Sequence, residues 1–340
     1  MTKSNVNIAI VGATGAVGKV FIDLMKERKF PAQEIRLLAS KRSEGKVISV
    51  NGQDLTVSET TADSFKNIDI AFISASADVS REFAPIAVQN GAIVVDDSSA
   101  FRLTNGVPLV IPEVNANDLL SHEGITAIPN CSTIQMAMVL KPLHDVNPIK
   151  RIIVDTYQAV SGTGIAAITE LHEQSRDFIN SETISPEIYP HQIAFNLLPH
   201  IEPFLNTGYT NEENKMIEET RKILHAPDML ISATCVRVPV FYGHSEAIHI
   251  EFENPFLPDD ARKVLNDFPG ISVIDNPQNN EYPMPLNSAN NNDVFVGRIR
   301  KDLSCDNGLA LWVVSDNLRK GAALNAMQIA EHMIKMGLIE

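Results

Sequence analysis

The chain has 340 residues, 44% of them apolar and 21% charged, enough for two domains with sizeable cores. The 42 acidic residues outnumber the 28 basic ones and leave a net charge of −14. That balance argues against a nucleic-acid or anionic-membrane surface, and any anionic ligand needs a local basic pocket. Cys131, Cys235 and Cys305 are too few and too scattered for a disulfide framework or a zinc site. No metal is expected, and a reducing compartment fits best.

The opening MTKSNVNIAIVGATG runs straight into an apolar strand, Val6 to Val11, with no leader-like pattern before it. No apolar run reaches the ~18 residues of a membrane span, so the expected location is cytoplasmic. The strand ends in Gly12-Ala-Thr-Gly15-Ala-Val-Gly18, and KVFIDLMKERKF then reads as an amphipathic helix. Strand, glycine loop and helix N-terminus together form a phosphate cradle. The spacing is GxxGxxG rather than GxGxxG, and an ordinary tight turn is the competing reading. A second strand, Ile35 to Ala39, leads into Ser40-Lys41-Arg42-Ser43, with no acid until Glu44. A carboxylate there would bind a ribose 2′-hydroxyl; two cations and two hydroxyls suit a 2′-phosphate instead, so NADP is favoured over NAD.

Ile68 to Ser74 and Ala92 to Asp96 read as further buried strands with a helix near 78–90 between them. The alternation implies a parallel, doubly wound sheet. Arg102 follows in the loop SSAFR, beyond a strand's carboxyl end, where such sheets bind ligands; a surface ion pair is the alternative. In Ile128-Pro-Asn-Cys-Ser-Thr, Asn130 is a strong N-cap type, which puts Cys131 at the first position of an apolar helix. Free N–H groups and the helix dipole favour a thiolate there, and a thiolate is a nucleophile. The competing reading is a buried Cys acting as a small apolar residue.

Ile152 to Val160 starts a second texture of longer alternating strands and ends at Ser161-Gly-Thr-Gly164, before the helix AAITELHEQSRDFI. Gln158 sits near that strand's end, with nothing local to mark it. Residues 180–210 lack periodicity and read as an excursion or interface. Thr210-Asn-Glu-Glu213 is a capping box opening the helix NKMIEETRKILH. Glu212 and Lys215 share a face of it, read locally as a surface ion pair. Ser232 to Phe252 reads as strand, turn, strand, with Arg237 and His244 flanking the turn. His244, beside Gly243, is expected to be exposed and mobile enough for proton transfer. His249 reads as a sheet-face residue, and Cys235 and Cys305 as inert. A helix and strand over 258–275 and a hairpin of Val294–Arg300 with Leu309–Val314 follow. SDNLRKGAALNAMQIAEHMIKM closes the chain as one long amphipathic helix that packs back onto the nucleotide domain.

Together GATGAVG (12–18), SSAFR (98–102), PNCST (129–133), QAVSGTG (158–164), EENK (212–215), RVPVFYGHSEA (237–247) and SDNLRKGAALN (315–325) resemble the aspartate-semialdehyde dehydrogenase family, in the family's order. The resemblance implies a Rossmann-type doubly wound parallel sheet plus an α+β catalytic and dimerisation domain. The boundaries are 1–130, completed by 316–340, and 131–315. It implies reversible NADPH-dependent reduction of 4-aspartyl phosphate to aspartate 4-semialdehyde with release of phosphate. That reaction feeds lysine, by way of diaminopimelate, and methionine, threonine and isoleucine. Cys131 becomes the nucleophile that forms a thioester, His244 its acid/base partner, and Gln158 the group that holds the acyl group or the thiol. Arg237 would grip the α-carboxylate, Glu212 the α-ammonium, and Arg102 and Lys215 the phosphate, with Asn130 beside it. Gly12, Ala13, Thr14, Gly15, Ala16, Val17, Ser40, Arg42, Ser43, Ser161, Gly162 and Asn317 would line the NADP site, with Asn325 competing with Asn317. A homodimer is implied. Three rivals are weighed: reduction of N-acetyl-glutamyl phosphate, whose blocked nitrogen would leave Glu212 without a purpose; a non-catalytic NADP-binding regulator; and a thiol hydrolase, which would not need the glycine cradle.

Overall fold

The computed structural model describes residues 5–339. The chain divides into two compact units, Met1–Asn130 with Ala322–Glu340, and Cys131–Gly321. In the first, β1 (Val6–Val11), α1 (Ala16–Arg28) and β2 (Ala32–Ala39) form the opening strand–helix–strand. A small antiparallel hairpin, β3 (Val47–Val50) and β4 (Gln53–Thr56), follows. It is an addition to the expected elements. Its signal is Asn51-Gly52, both at positive φ (52° and 82°), the pair that a two-residue hairpin turn selects. Then come β5 (Ser58–Glu59), β6 (Ile70–Ile73), α2 (Ala77–Gln89), β7 (Ile93–Asp96), α3 (Pro112–Asn115) and β8 (Ile125–Ala127). The sheet runs β5-β2-β1-β6-β7-β8, with every pairing parallel. Its central strands are buried on both faces, which is why β6 is apolar throughout.

The second unit comprises α4 (Cys131–Val146), β9 (Ile149–Gln158), α5 (Ile165–Ile179), α6 (Asn211–Ile223), β10 (Leu230–Arg237), β11 (His244–Phe252), α7 (Pro258–Asn266), β12 (Ile271–Val273), α8 (Pro285–Ser288), β13 (Val294–Lys301) and β14 (Gly308–Ser315). Its mixed sheet is ordered β10-β9-β11-β14-β13-β12. β13 and β14 form the expected antiparallel pair. β10 and β11, expected as consecutive strands about one turn, are not neighbours: β9 lies between them, parallel to β10 and antiparallel to β11. Residues 180–210 contain no regular helix or strand.

The period of two sorts side chains to the two faces. Thr156 and Gln158 of β9, Cys235 and Arg237 of β10, and His244, Glu246, Ile248 and Ile250 of β11 are buried on the face that α4 and α6 cover. Tyr157, Ser232, Thr234, Ala247, His249 and Trp312 alternate with them, and none is buried. The capping box at α6 is formed: Glu213 Oε2 accepts from the Thr210 N–H at 2.7 Å and Thr210 Oγ1 from the Glu213 N–H at 3.3 Å.

The chain returns to the first unit as α9 (Leu324–Met336), which packs on α1, α3 and β7. The expected continuous helix from Ser315 does not form. Asp316 Oδ1 takes the N–H groups of Leu318 and Arg319 (2.8 and 3.0 Å), and Arg319–Ala323 makes one π-helical turn before α9 begins. A carboxylate that caps its own following backbone competes with helix, and here it wins.

Candidate active site

In the first unit the glycine loop between β1 and α1 is tightly packed. Gly12 has φ +88°, and a Cβ there would lie 2.0 Å from the Ser74 carbonyl oxygen. A Cβ on Gly18 would lie 2.3 Å from the Gly12 oxygen. Only glycine therefore fits at these two positions, and the loop backbone packs closely on the end of β6 and the start of α1. Thr14 Oγ1 lies 3.3 Å from Ser43 Oγ, so the loop meets the turn after β2. In that turn Ser40 precedes a short 3₁₀ helix, Lys41–Ser43. Lys41 is committed to Glu44 (2.5 Å) and Glu59 (3.4 Å). Arg42 is exposed and makes no ion pair among the described residues. Lys46 Nζ reaches Ser43 Oγ at 3.4 Å, a cation that the sequence reading missed because it lies past Glu44. These residues fit a nucleotide carrying a 2′-phosphate.

At the carboxyl end of β7, Asp96 is buried and raised above the usual carboxylate range by that burial. It accepts from Ser80 Oγ (2.6 Å) and Ser98 Oγ (2.8 Å). These bonds shape the loop that carries Arg102, whose Nη2 donates to the Asp97 carbonyl at 2.9 Å. Arg102 and Asn130 are both buried, and Asn130 ends this unit.

In the second unit Cys131 is the first residue of α4 and is half-buried. A side chain at Gly321, in the π turn, would come within 3.0 Å of the Cys131 Cβ, so that turn closes directly on the thiol's stem. Nothing in the local sequence announces this contact.

Arg237 and Gln158 are cross-strand partners at the carboxyl ends of β10 and β9, and His244 opens the neighbouring β11. The expectation of an exposed, mobile His244 is corrected: it has no exposure at all. Gly243, at φ +87°, makes the turn, and the next residue already belongs to the buried face. Its Nδ1 accepts the Ala159 N–H at 2.9 Å. The proton of the neutral ring is therefore on Nε2, which has no partner among the described residues. Burial first, and Arg237 second, pull His244 down to about 3.

The Arg237 Nη1 donates to the Ala159 carbonyl (2.8 Å), its Nε lacks a partner among the described residues, and Tyr189 lies under the guanidinium at 6.0 Å. A Cβ on Gly162 would lie 3.0 Å from Arg237 Nη1 and 3.1 Å from His244 Nε2, so this glycine leaves room at both groups.

Gln158 does not present a free amide. Its Nε2 donates to Glu212 Oε1 at 2.8 Å and its Oε1 accepts from Thr156 Oγ1 at 3.0 Å. Thr156, two residues back on the same face, was legible from the period of two. Glu212 is buried, and Lys215 Nζ lies 3.3 Å from its Oε2. The local i,i+3 pair is real but only half of the arrangement, because Lys215 also pairs with Glu202 of the aperiodic segment.

Asn317 and Asn325 separate cleanly. The Asn317 Oδ1 accepts from Ser161 Oγ and from the Gly243 N–H, both at 3.0 Å, and leaves a buried, unpartnered Nδ2. Asn325 donates to the Val110 carbonyl at 2.8 Å in the first unit. Cys235 is buried and raised well above the usual thiol range by that burial; Cys305 is raised as well. Among the described residues no helix is long and apolar enough to cross a membrane, and no His/Cys/Asp/Glu cluster could hold a metal.

Two family models match. Residues 7–122 match "Semialdehyde dehydrogenase, NAD binding domain" and residues 140–320 match "Semialdehyde dehydrogenase, dimerisation domain". The chain is 54% identical to the aspartate-semialdehyde dehydrogenase of Aquifex aeolicus, over 98% of this chain and 99% of that protein. A crystal structure of aspartate semialdehyde dehydrogenase II from Vibrio cholerae, complexed with ASA, superposes with a TM-score of 0.95 at 43% identity, covering 98% of this chain and 99% of that one. The Candida albicans enzyme, solved with NADP, superposes with a TM-score of 0.77 at 27% identity, covering 99% of this chain and 100% of that one.

Proposed function

The chain belongs to the aspartate-semialdehyde dehydrogenase family, and on that premise we propose how its side chains divide the reaction. It is an NADP-dependent oxidoreductase of amino-acid biosynthesis that acts on an aldehyde or acyl phosphate. The observation that carries the assignment of roles is the pair of buried opposite charges beside one end of the second sheet. Arg237 keeps an open Nε there, and Glu212 is held by Gln158. A carboxylate beside an ammonium, as in an α-amino acid, satisfies both. A blocked, neutral nitrogen, as in N-acetyl-glutamyl phosphate, would bring no ammonium to a buried Glu212 whose Oε2 is shared with Lys215.

In the reductive direction the Cys131 sulfur attacks the acyl carbon of 4-aspartyl phosphate. A C–S bond forms, the C–O bond to phosphate breaks, and inorganic phosphate leaves. NADPH, when bound, supplies the hydride that turns the thioester carbon into the aldehyde and returns the thiolate. His244 donates a hydrogen bond from Nε2 to the substrate oxygen that becomes negative. It works as a fixed donor in this state, because a second proton on Nδ1 would point at the Ala159 N–H. Lys215 and Arg102 bind the phosphate, and Gln158 positions Glu212. Gly12, Ala13, Thr14, Gly15, Ala16, Val17, Ser40, Arg42 and Ser43 hold the nucleotide. Ser161, Gly162 and Asn317 complete its nicotinamide end, with the Asn317 Nδ2 as the open donor.

The first unit is read as the cofactor domain and the second as the catalytic and dimerisation domain. The homodimer is supported by the match to a dimerisation domain and by the exposed Phe178, Phe195, Leu197 and Phe204 of the second unit. A reducing, cytoplasmic setting is supported by three cysteines that form no disulfide among the described residues. The test is reduction of NADP with aspartate semialdehyde as the only organic substrate. The expected result is a rate that depends on phosphate or arsenate and is lost in Cys131→Ser. A phosphate-independent rate, or a preference for N-acetyl-glutamate semialdehyde, would overturn the reading.

A further inference from the structure

Glu202 lies in a short span of chain pinned at both ends. At one end Leu198 exchanges two backbone hydrogen bonds with Arg237 (3.0 and 2.8 Å). At the other the Asn211 N–H, at the start of α6, donates to the Pro203 carbonyl at 3.0 Å. Residues 199–202 therefore cross from the Arg237 end of the sheet to the helix that carries Glu212 and Lys215. Glu202 itself has φ +65°, a left-handed conformation that a glutamate rarely adopts, directly before a proline. The fold accepts this backbone and sets the Glu202 carboxylate on Lys215 Nζ.

The two carboxylates on Lys215 are unequal. Glu212 is fixed: its side chain is 5% exposed and its other oxygen is taken by Gln158. Glu202 is 40% exposed at its side chain, so it can turn into water. The Glu202 carboxylate meets an anion arriving at Lys215 with like charge until it withdraws.

We propose that Glu202 is a tethered anion that occupies the Lys215 phosphate subsite and is displaced when phosphate binds, so that weaker monoanions are kept out. A dianion competes for Lys215 more strongly than a carboxylate does; chloride or nitrate does not. The proposal rests on the reading of Lys215 as a phosphate ligand.

The experiment is steady-state kinetics in the oxidative direction with Glu202→Gln, Lys215→Ala and the double variant, varying phosphate and aspartate semialdehyde separately. Glu202→Gln keeps the bulk and removes the charge. It should lower the KM for phosphate about two- to fivefold, the span expected for loss of an exposed ion pair. The KM for the semialdehyde should move less than that, and inhibition by nitrate should strengthen. In the double variant the gain should vanish, leaving the weak phosphate dependence of Lys215→Ala. If Lys215→Ala weakens phosphate while Glu202→Gln leaves its KM unchanged, the subsite reading stands and the tethered-anion proposal is wrong. A raised phosphate KM in Glu202→Gln also overturns it, since Glu202 would then be aligning Lys215 rather than competing for it. If Lys215→Ala leaves phosphate unaffected, the subsite reading fails and takes this proposal with it.

Discussion

Glu246 is a carboxyl with no exposure, two residues along β11 from His244, and neither of its oxygens has a hydrogen-bond partner among the described residues. Burial pushes it up to about 8 from an ordinary 4.5. Gln135 lies near enough to pull it slightly back, without a bond to either oxygen that meets normal geometry. Between those two values the unfolded chain releases this proton and the folded chain keeps it. Stability therefore falls as pH rises through that window, by a few kcal/mol at most. Glu246→Gln should raise the melting temperature relative to the parent at pH 8 and change it little at pH 5. Thermal melts at both values check this, and an equal gain at both would show that the carboxyl does not titrate there. The alternation of β11 places Glu246 beside His244 on one face, so the pair was legible in sequence. Its burial was not, because α4 and β14 supply the covering atoms and both are remote in the chain. The error at His244 has the same root: a histidine after a turn glycine looks exposed until the far side of the sheet is known. Glu202 was invisible too, since only the folded path brings it to Lys215.

The turn after β2 shows how one element divides labour between two adjacent cations. Lys41 spends its charge on Glu44 and Glu59, while Arg42 stays unengaged. Arg42→Ala should raise the KM for NADP by about tenfold, the scale of one charge-assisted contact, and leave that for NAD nearly unchanged. Lys41→Ala should do little to either. Initial-rate measurements with both nucleotides decide it, and parallel losses for NADP and NAD would remove Arg42 from the 2′-phosphate. The sequence carried this element well, because strand, glycine loop, helix and strand follow one another with short connections. It carried the second sheet poorly. Gln158 and Arg237 are direct neighbours across a ladder, yet two helices and an excursion separate them in the chain. Local periodicity identifies strands but not their order, which is why β10 and β11 looked like consecutive neighbours.

For the molecule as a whole, the net charge of −14 and the exposed aromatic cluster of the second unit pull in opposite directions. Charge favours separation, while Phe178 and Phe195, with ring centroids 4.6 Å apart, present an apolar surface that a second copy can cover. Phe178→Asp with Phe195→Asp should halve the mass seen by light scattering; an unchanged mass would put the interface elsewhere. The sequence signals at this scale are the change in strand texture at Ile152 and the apolar stripe of the last helix, which returns to the first unit. That return sets a timetable for synthesis. The first unit emerges from the ribosome lacking α9, which covers α1, α3 and β7, and must wait while all of Cys131–Gly321 is made. At about 5–20 residues per second those roughly 190 residues take on the order of 10–40 s. For that interval the nascent nucleotide unit carries an uncovered apolar face. A chaperone would find its substrate there, and a ribosome stalled before Leu324 would leave behind an incompletely covered cofactor domain.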